Sequence, residues 1–252
     1  MGSAQGAALP ATPWRPWPAH SCAEVVFLLG EQHATERVAR RLFGRVLCPS
    51  EYAGLTGAPD DAKVEVGASD GRLYIEMRDP VAATCGYYYL YRAETAVVLL
   101  NDGFCINVQA MRGHGLGLQM LFRQTRNAAT LGVDRIETIA GRKNDENGYY
   151  TWPRYGFQGI LPASIRHLLP VGLDDSHTIL DLMSCEKGRD WWREHGTTIP
   201  VRFDLAPGSR SRRTLAQYVR ERFSSVAQKE ILKTRRRCGM VSLDGDACHN
   251  VW

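Results

Sequence analysis

The sequence predicts an α/β fold in which helices flank a central sheet, helical segments interrupt the chain before its last strand, and a further helix follows. Three observations carry this. Residues 72–78 alternate apolar and polar side chains, the period of a half-buried strand, and further strand-like runs follow to 108. Between Phe104 and Ala140 the order is strand, glycine-rich loop, helix, strand. Beyond Gly156-Phe157 the next convincing strand, residues 199–205, comes about forty residues later, with short helical stretches between.

The 252 residues suffice for one large domain, or for one domain with an extension. A chain that is 44% hydrophobic and 23% charged has the composition of an ordinary globular protein. No apolar run approaches the roughly 20 residues that span a membrane. The N-terminus lacks the cationic-then-apolar pattern of a secretory signal. Seven cysteines without a Cys-x-x-Cys spacing make reduced thiols in a cytoplasmic protein the expectation. A net charge of +4 does not by itself call for a nucleic-acid partner.

Residues 1–22, rich in Ala, Gly and Pro around Trp14-Arg15-Pro16-Trp17-Pro18, read as a tail that cannot hold a helix. A first strand is expected over residues 24–29. A helix over 35–47 follows, with Val38, Leu42 and Val46 on one face. Strands are expected at 72–78 and 87–92, the second rich in aromatic residues. Residues 97–100 and 104–108 flank Asn101-Asp102-Gly103, which reads either as the turn of a hairpin or as a bulge within one long strand. Leu118, Leu121, Phe122, Thr125 and Ala129 recur at helical spacing until Gly132, and residues 133–140 form the next strand.

The loop Met111-Arg112-Gly113-His114-Gly115-Leu116-Gly117 sits where the strand ends and the helix begins. It has two readings, a structural turn or a cradle whose backbone amides approach a phosphate group. The segment Asn147-Gly148-Tyr149-Tyr150-Thr151-Trp152-Pro153-Arg154-Tyr155-Gly156-Phe157 follows one helix and one strand later. Two unrelated turns explain that pairing poorly.

Together these motifs resemble the GNAT family of N-acetyltransferases over residues 24–159. The family's loop signature is Gln/Arg-x-x-Gly-x-Gly/Ala at a helix start, filled here by Arg112, Gly115 and Gly117. A second family element, Tyr-x-x-x-Gly-Phe with an upstream Ala, is matched by Gly156-Phe157. Trp152 stands in the tyrosine place and Gly148 in the alanine place. The resemblance implies a mixed, mostly antiparallel sheet and acetyl-CoA as acyl donor. It also implies that the amides of Arg112, Gly113, His114, Gly115, Leu116, Gly117 and Leu118 hold the pyrophosphate. Family members use the tyrosine to protonate the departing thiolate. An indole offers only a hydrogen-bond donor, so Tyr150 becomes the candidate acid, with Tyr149 and Tyr155 as neighbours. Pro153 is expected to interrupt the helix there.

Acetyl transfer to an amine of pKa near 10.4 needs help with deprotonation. Glu76, in a strand among apolar neighbours, is the candidate base, with Asp102 behind it; a solvent-facing carboxylate and a turn-shaping one are the bland readings. Backbone amides on the splayed strand over residues 105–110 would polarise the carbonyl. No cysteine–histidine spacing suits a metal. A Gly-x-Ser-x-Gly elbow and a P-loop Gly-Lys-Ser/Thr are both missing.

Short helices are expected at 163–169, 178–184 and 190–195, forming an insertion over about 162–198 in which Trp191 and Trp192 pack onto the domain. A last helix over 211–233 carries Leu215, Val219, Phe223 and Val226 on one face, which needs the domain or a second copy of the chain as its partner. The ten Arg and Lys residues among positions 210–237 read as a solvated face or as the site of an anionic partner. The expected organisation is a tail at 1–22, an acyltransferase domain at 23–206 and a basic extension at 207–252. The expected function is acetyl-CoA-dependent transfer to a primary amine; the alternative is a GNAT-fold acyl-CoA-binding or interaction module without turnover.

Overall fold

In the computed structural model, residues 21–80, 84–106, 115–143 and 146–222 are described. The chain divides into two compact units, Pro16–Tyr218 and a second formed by Met1–Arg15 with Val219–Trp252. The first unit holds a seven-stranded sheet in the order β1-β2-β3-β4-β5-β6-β7. Its strands are β1 Glu24–Phe27, β2 Lys63–Ser69, β3 Arg72–Asp79, β4 Thr84–Ala93, β5 Ala96–Ile106, β6 Arg135–Ala140 and β7 Ile199–Asp204. The pairs β1–β2 and β5–β6 are parallel and the others antiparallel, so the sheet is mixed and mostly antiparallel.

Helices α1 (Gln32–Phe43) and α2 (Pro49–Thr56) join β1 to β2; α3 (Leu116–Thr130) joins β5 to β6. After β6 come α4 (Gly148–Arg154), α5 (Ala163–Arg166), α6 (Ile179–Leu182) and α7 (Glu186–His195), and residues 210–222 form a final helix, α8. Expectation and structure differ most before Arg72. Helix α1 starts earlier than its apolar spacing suggested, and α2 and β2 were not anticipated. In α2, Pro-Ser-Glu-Tyr-Ala-Gly-Leu-Thr has no polar face, because five of its residues are buried under α3. A helix buried all round shows no amphipathic period.

The alternation of the strands sets the layers. Leu73, Ile75 and Met77 of β3, Tyr88 and Leu90 of β4, Leu99 of β5, Ile136 of β6 and Val201 and Phe203 of β7 share one face and are buried. Contacts from that face reach the helices. Tyr88 donates to the Thr56 carbonyl at the end of α2, Arg92 to the Leu42 carbonyl of α1, and Phe157, just after α4, stacks on Phe203. The opposite face carries Tyr74, Glu76, Tyr87, Tyr89 and Tyr91.

The Asn101-Asp102-Gly103 stretch is a bulge inside one strand, not a hairpin turn. Tyr87 pairs with Gly103 and Tyr88 with Asn101, leaving Asp102 as the extra residue. The expectation of reduced thiols is corrected for one pair: Cys85 and Cys105 lie opposite each other, Cα atoms 5.4 Å apart, and form a disulfide. Cross-strand register, invisible in cysteine spacing, brings them together. Cys22, Cys48 and Cys185 are free and exposed.

The inserted segment behaves as expected in outline. Gln158 and Ile160 form isolated bridges to Arg202 and Thr178, so β7 lies between β6 and the start of the insertion. Leu215 of α8 is buried, and Tyr218 stacks on Tyr155 at 5.3 Å, so this part of its apolar stripe is covered by the domain itself. Among the described residues, no helix is long and apolar enough to cross a membrane.

Two predictions follow from the packing. Gln124 of α3 and Asn101 of β5 exchange side-chain amide hydrogen bonds of 3.0 and 3.1 Å, and both are buried. Gln124→Leu should therefore cost about 1–3 kcal/mol in urea unfolding, because it orphans the Asn101 amide. Adding Asn101→Leu should cost less than the sum of the two single changes. The second prediction concerns acid. Arg45 grips Glu51 at 2.5 and 2.9 Å, and that hydrogen bonding holds the Glu51 carboxyl down at about 2. Burial pushes Asp181 up, but hydrogen bonds from Arg210 and Thr178 outweigh it and bring its carboxyl to about 2. Both folded values lie below the unfolded ones, so the stabilisation is complete above the ordinary carboxylate range and is lost as pH falls towards 2. Denaturation midpoints measured from pH 6 to pH 2.5 should fall less steeply in Glu51→Gln than in the parent chain.

Candidate functional site

Strands β5 and β6 run side by side for only four residue pairs, from Val98–Arg135 to Asn101–Thr138. Past that point, among the described residues, β6 continues to Ala140 against β7 and β5 continues to Ile106 against β4. The sheet is therefore open between them. Where pairing stops, the Thr138 hydroxyl donates to the Asn101 carbonyl at 2.8 Å, a side chain replacing the next rung of the ladder. The opening leads to a small cavity lined in part by Tyr88, Asn101, Phe104, Met120, Leu121 and Trp152.

Helix α3 begins over this opening. Its N-cap, Gly115, has φ +87°, a left-handed conformation that residues with a Cβ avoid, and no side chain caps the helix. The first-turn amides at Leu116, Gly117 and Leu118 thus have no partner within the helix. A Cβ on Gly117 would stand 3.5 Å from the Phe104 ring and 4.0 Å from Ile106, in the space between α3 and the end of β5. Amides without an intrahelical partner, a favourable helix end and a glycine-lined approach fit a phosphate-bearing group. Of the expected cradle, Gly115, Leu116, Gly117 and Leu118 are placed here. Arg112, Gly113 and His114 lie outside the described residues.

Helix α4 forms the other wall. Pro153 does not break it; it lies buried in the last turn, and the helix runs to Arg154. Lacking an N–H, Pro153 cannot bond the carbonyl of Tyr149 one turn back. Trp192 of α7, fully buried, donates its indole N–H to that carbonyl at 2.8 Å. Tyr149 also donates its hydroxyl to the Arg193 carbonyl, and Arg142 at the end of β6 donates to the Glu194 and Gly196 carbonyls. The insertion is thereby fastened to α4. Trp192, not Trp191, packs it there; Trp191 stacks on His195. Asn147 occupies the N-cap position of α4 but makes no capping bond, and Asn144 and Asp145 lie outside the described residues.

On α4, Trp152 turns inward, its ring 6.5 Å from Phe104 and 4.9 Å from Phe157. Tyr150 turns outward. Its hydroxyl accepts from Arg193 at 2.6 Å and from Arg154 at 3.4 Å, with both guanidinium groups over its ring. Glu76 is buried on the sheet face opposite the helices, where it accepts from Tyr74 at 2.9 Å and from the Arg78 Nε. Burial, and then the Glu76 carboxylate, hold the Tyr74 phenol far above its usual range, so it stays a donor. The structure does not bring Tyr150 and Glu76 together, since β3 and β6 are separated by two strands, roughly 14 Å at the usual spacing.

The sequence reading missed Asn101, Gln124, Thr138 and Phe104. A signal was present for Gln124, a polar residue between Leu121 and Thr125 on the inward stripe of α3; a buried amide of that kind needs a partner. No model of a known protein family matches this chain, and no curated protein is significantly similar to it. Trp192→Phe should lower stability by about 1–3 kcal/mol in denaturant unfolding, because the Tyr149 carbonyl then has no donor. Trp191→Phe should change stability by less than about 0.5 kcal/mol.

Proposed function

We propose that this chain binds an acyl-CoA in the opening between β5 and β6 and transfers an acetyl group to a primary amine by direct attack on the thioester. One observation carries the reading: the parallel strands part at Asn101–Thr138 directly before the uncapped N-terminus of α3. A mixed seven-stranded sheet with the connection β5–α3–β6 is compatible with a GNAT-like arrangement. In this reading the amides from Arg112 through Leu118 hold the pyrophosphate, and Phe104, Met120, Leu121 and Trp152 line the apolar end. The bound donor supplies an activated thioester carbonyl.

The chain's own residues have the remaining tasks. The exposed end of β5 would offer backbone N–H groups to the carbonyl oxygen. Glu76 is the proposed base; its carboxylate accepts one bond from Tyr74 and one from Arg78 and keeps lone pairs for a further proton. Tyr150 is the proposed acid. Its oxygen accepts from two guanidinium groups, which leaves its own proton available to donate. Arg210 pairs with Asp181, and Arg212 and Arg213 donate to backbone carbonyls. An anionic partner would therefore engage Lys229, Lys233, Arg235, Arg236 and Arg237, which lie outside the described residues.

A second reading, acyl-CoA binding without turnover, is favoured by Trp152 at the place where the resemblance puts a phenol. Purified protein, acetyl-CoA and a panel of amines separate the two. Catalysis predicts release of free CoA thiol that depends on an amine and weakens in Tyr150→Phe and Glu76→Gln; binding without thiol release would leave the module. Gly115→Val should weaken CoA binding about tenfold or more in calorimetry. Gly132→Val makes the same backbone demand at the far end of α3, where φ is +79°, and should leave affinity unchanged. Equal affinity in both variants would refute the cradle.

A further inference from the structure

The disulfide lies past the point where β5 parts from β6 and its ladder with β4 is interrupted. Beyond Asn101 the end of β5 has lost β6 as a neighbour, and the Asp102 bulge interrupts its pairing with β4. Among the described residues, four pairs join it to β4: Tyr87–Gly103, Gly86–Phe104, Cys85–Cys105 and Thr84–Ile106. Two of the four contain glycine, the weakest strand former apart from proline. Yet this end carries Phe104 into the cavity, and Phe104 and Ile106 face Gly117 across the opening. Cys85 and Cys105 are both half-exposed, within reach of a reductant.

We propose that the Cys85–Cys105 disulfide is a redox switch on donor binding. Closed, it pins β5 beyond the bulge to β4 and fixes one wall of the opening. Opened, it leaves that end on a glycine-weakened ladder, and the wall loosens. A dithiol supplies the reaction: its thiolate attacks one sulfur of the pair, forming a mixed disulfide and releasing one cysteine thiolate. Its second thiol then displaces the other cysteine. The dithiol leaves as a cyclic disulfide, and two electrons and two protons end on Cys85 and Cys105. The role in donor binding rests on reading the β5–β6 opening as the acyl-CoA site.

The test uses the full chain, oxidised with diamide or reduced with dithiothreitol and then freed of reagent. Thiol titration in denaturant should count two fewer thiols in the oxidised form, and equal counts would overturn the proposal. Calorimetry with CoA should give an affinity about fivefold or more weaker in the reduced form. Cys85→Ser and Cys105→Ser should match the reduced protein in either condition, whereas a Cys22→Ser/Cys48→Ser/Cys185→Ser variant should respond like the parent. Equal affinity in both states would overturn the switch. If CoA binds in neither state, the donor reading fails by itself. Amide hydrogen exchange over residues 103–106 and 115–118 then decides whether the disulfide governs this wall: faster exchange on reduction supports it, and unchanged exchange overturns it.

Discussion

The amide pair of Asn101 and Gln124 is the constraint on which the arrangement turns. Asn101 stands on the last rung shared by β5 and β6, and its side chain donates one hydrogen bond to Gln124 and accepts one from it. Gln124 in turn donates to the Leu55 carbonyl of α2 at 2.8 Å, so one buried side chain joins β5, α3 and α2. Asn101's own carbonyl is taken by Thr138. A sheet that opens internally exposes backbone groups that would otherwise pair, and each unpaired buried group costs about as much as a lost hydrogen bond. Here the groups at the branch point are satisfied by side chains, which lets the opening exist within an otherwise continuous core.

The same accounting explains why the insertion is part of the site. A proline in the last turn of α4 leaves the Tyr149 carbonyl without its intrahelical donor. Trp192 supplies one from α7, and the arginines at positions 142 and 193 tie both ends of that contact. Proline and tryptophan are thus complementary across about forty residues of sequence. Deleting the insertion would expose the apolar side of α4 and orphan its carbonyl, so Trp152 would lose the support that aims it at Phe104.

Much of this was legible in the sequence, and the failures share a cause. Alternation in 72–78, the aromatic content of 87–92, the glycine junction before α3 and the stop at Gly132 are local signals, each produced by side chains within one element. Helix α2 was invisible because burial on all sides removes the period that marks a helix. The bulge at Asp102 and the disulfide both depend on register between β4 and β5, and the same three residues can make a turn or a bulge depending on what lies opposite. Gln124 showed itself only as a polar residue on an apolar stripe. Its partners sit 23 and 69 positions away, beyond the reach of any local pattern.

Trp152 bears on the chemistry in a way that separates binding from turnover. An indole facing Phe104 and Phe157 makes the inner wall of the opening apolar. This favours holding a thioester and excluding water, since electrostatic contacts strengthen in a dry site. The same indole brings no proton that a thiolate could take. The phenols of α4 point the other way: Tyr149 towards the Arg193 carbonyl and Tyr150 between two guanidinium groups. If the chain turns over, either Tyr150 reaches the leaving group through rearrangement of Arg193, or the thiolate leaves unprotonated and meets solvent. The second route needs no residue at all, because a thiol of pKa near 8.5 leaves readily as its anion. A tryptophan at this place therefore argues more strongly against a fixed acid than against acyl transfer itself.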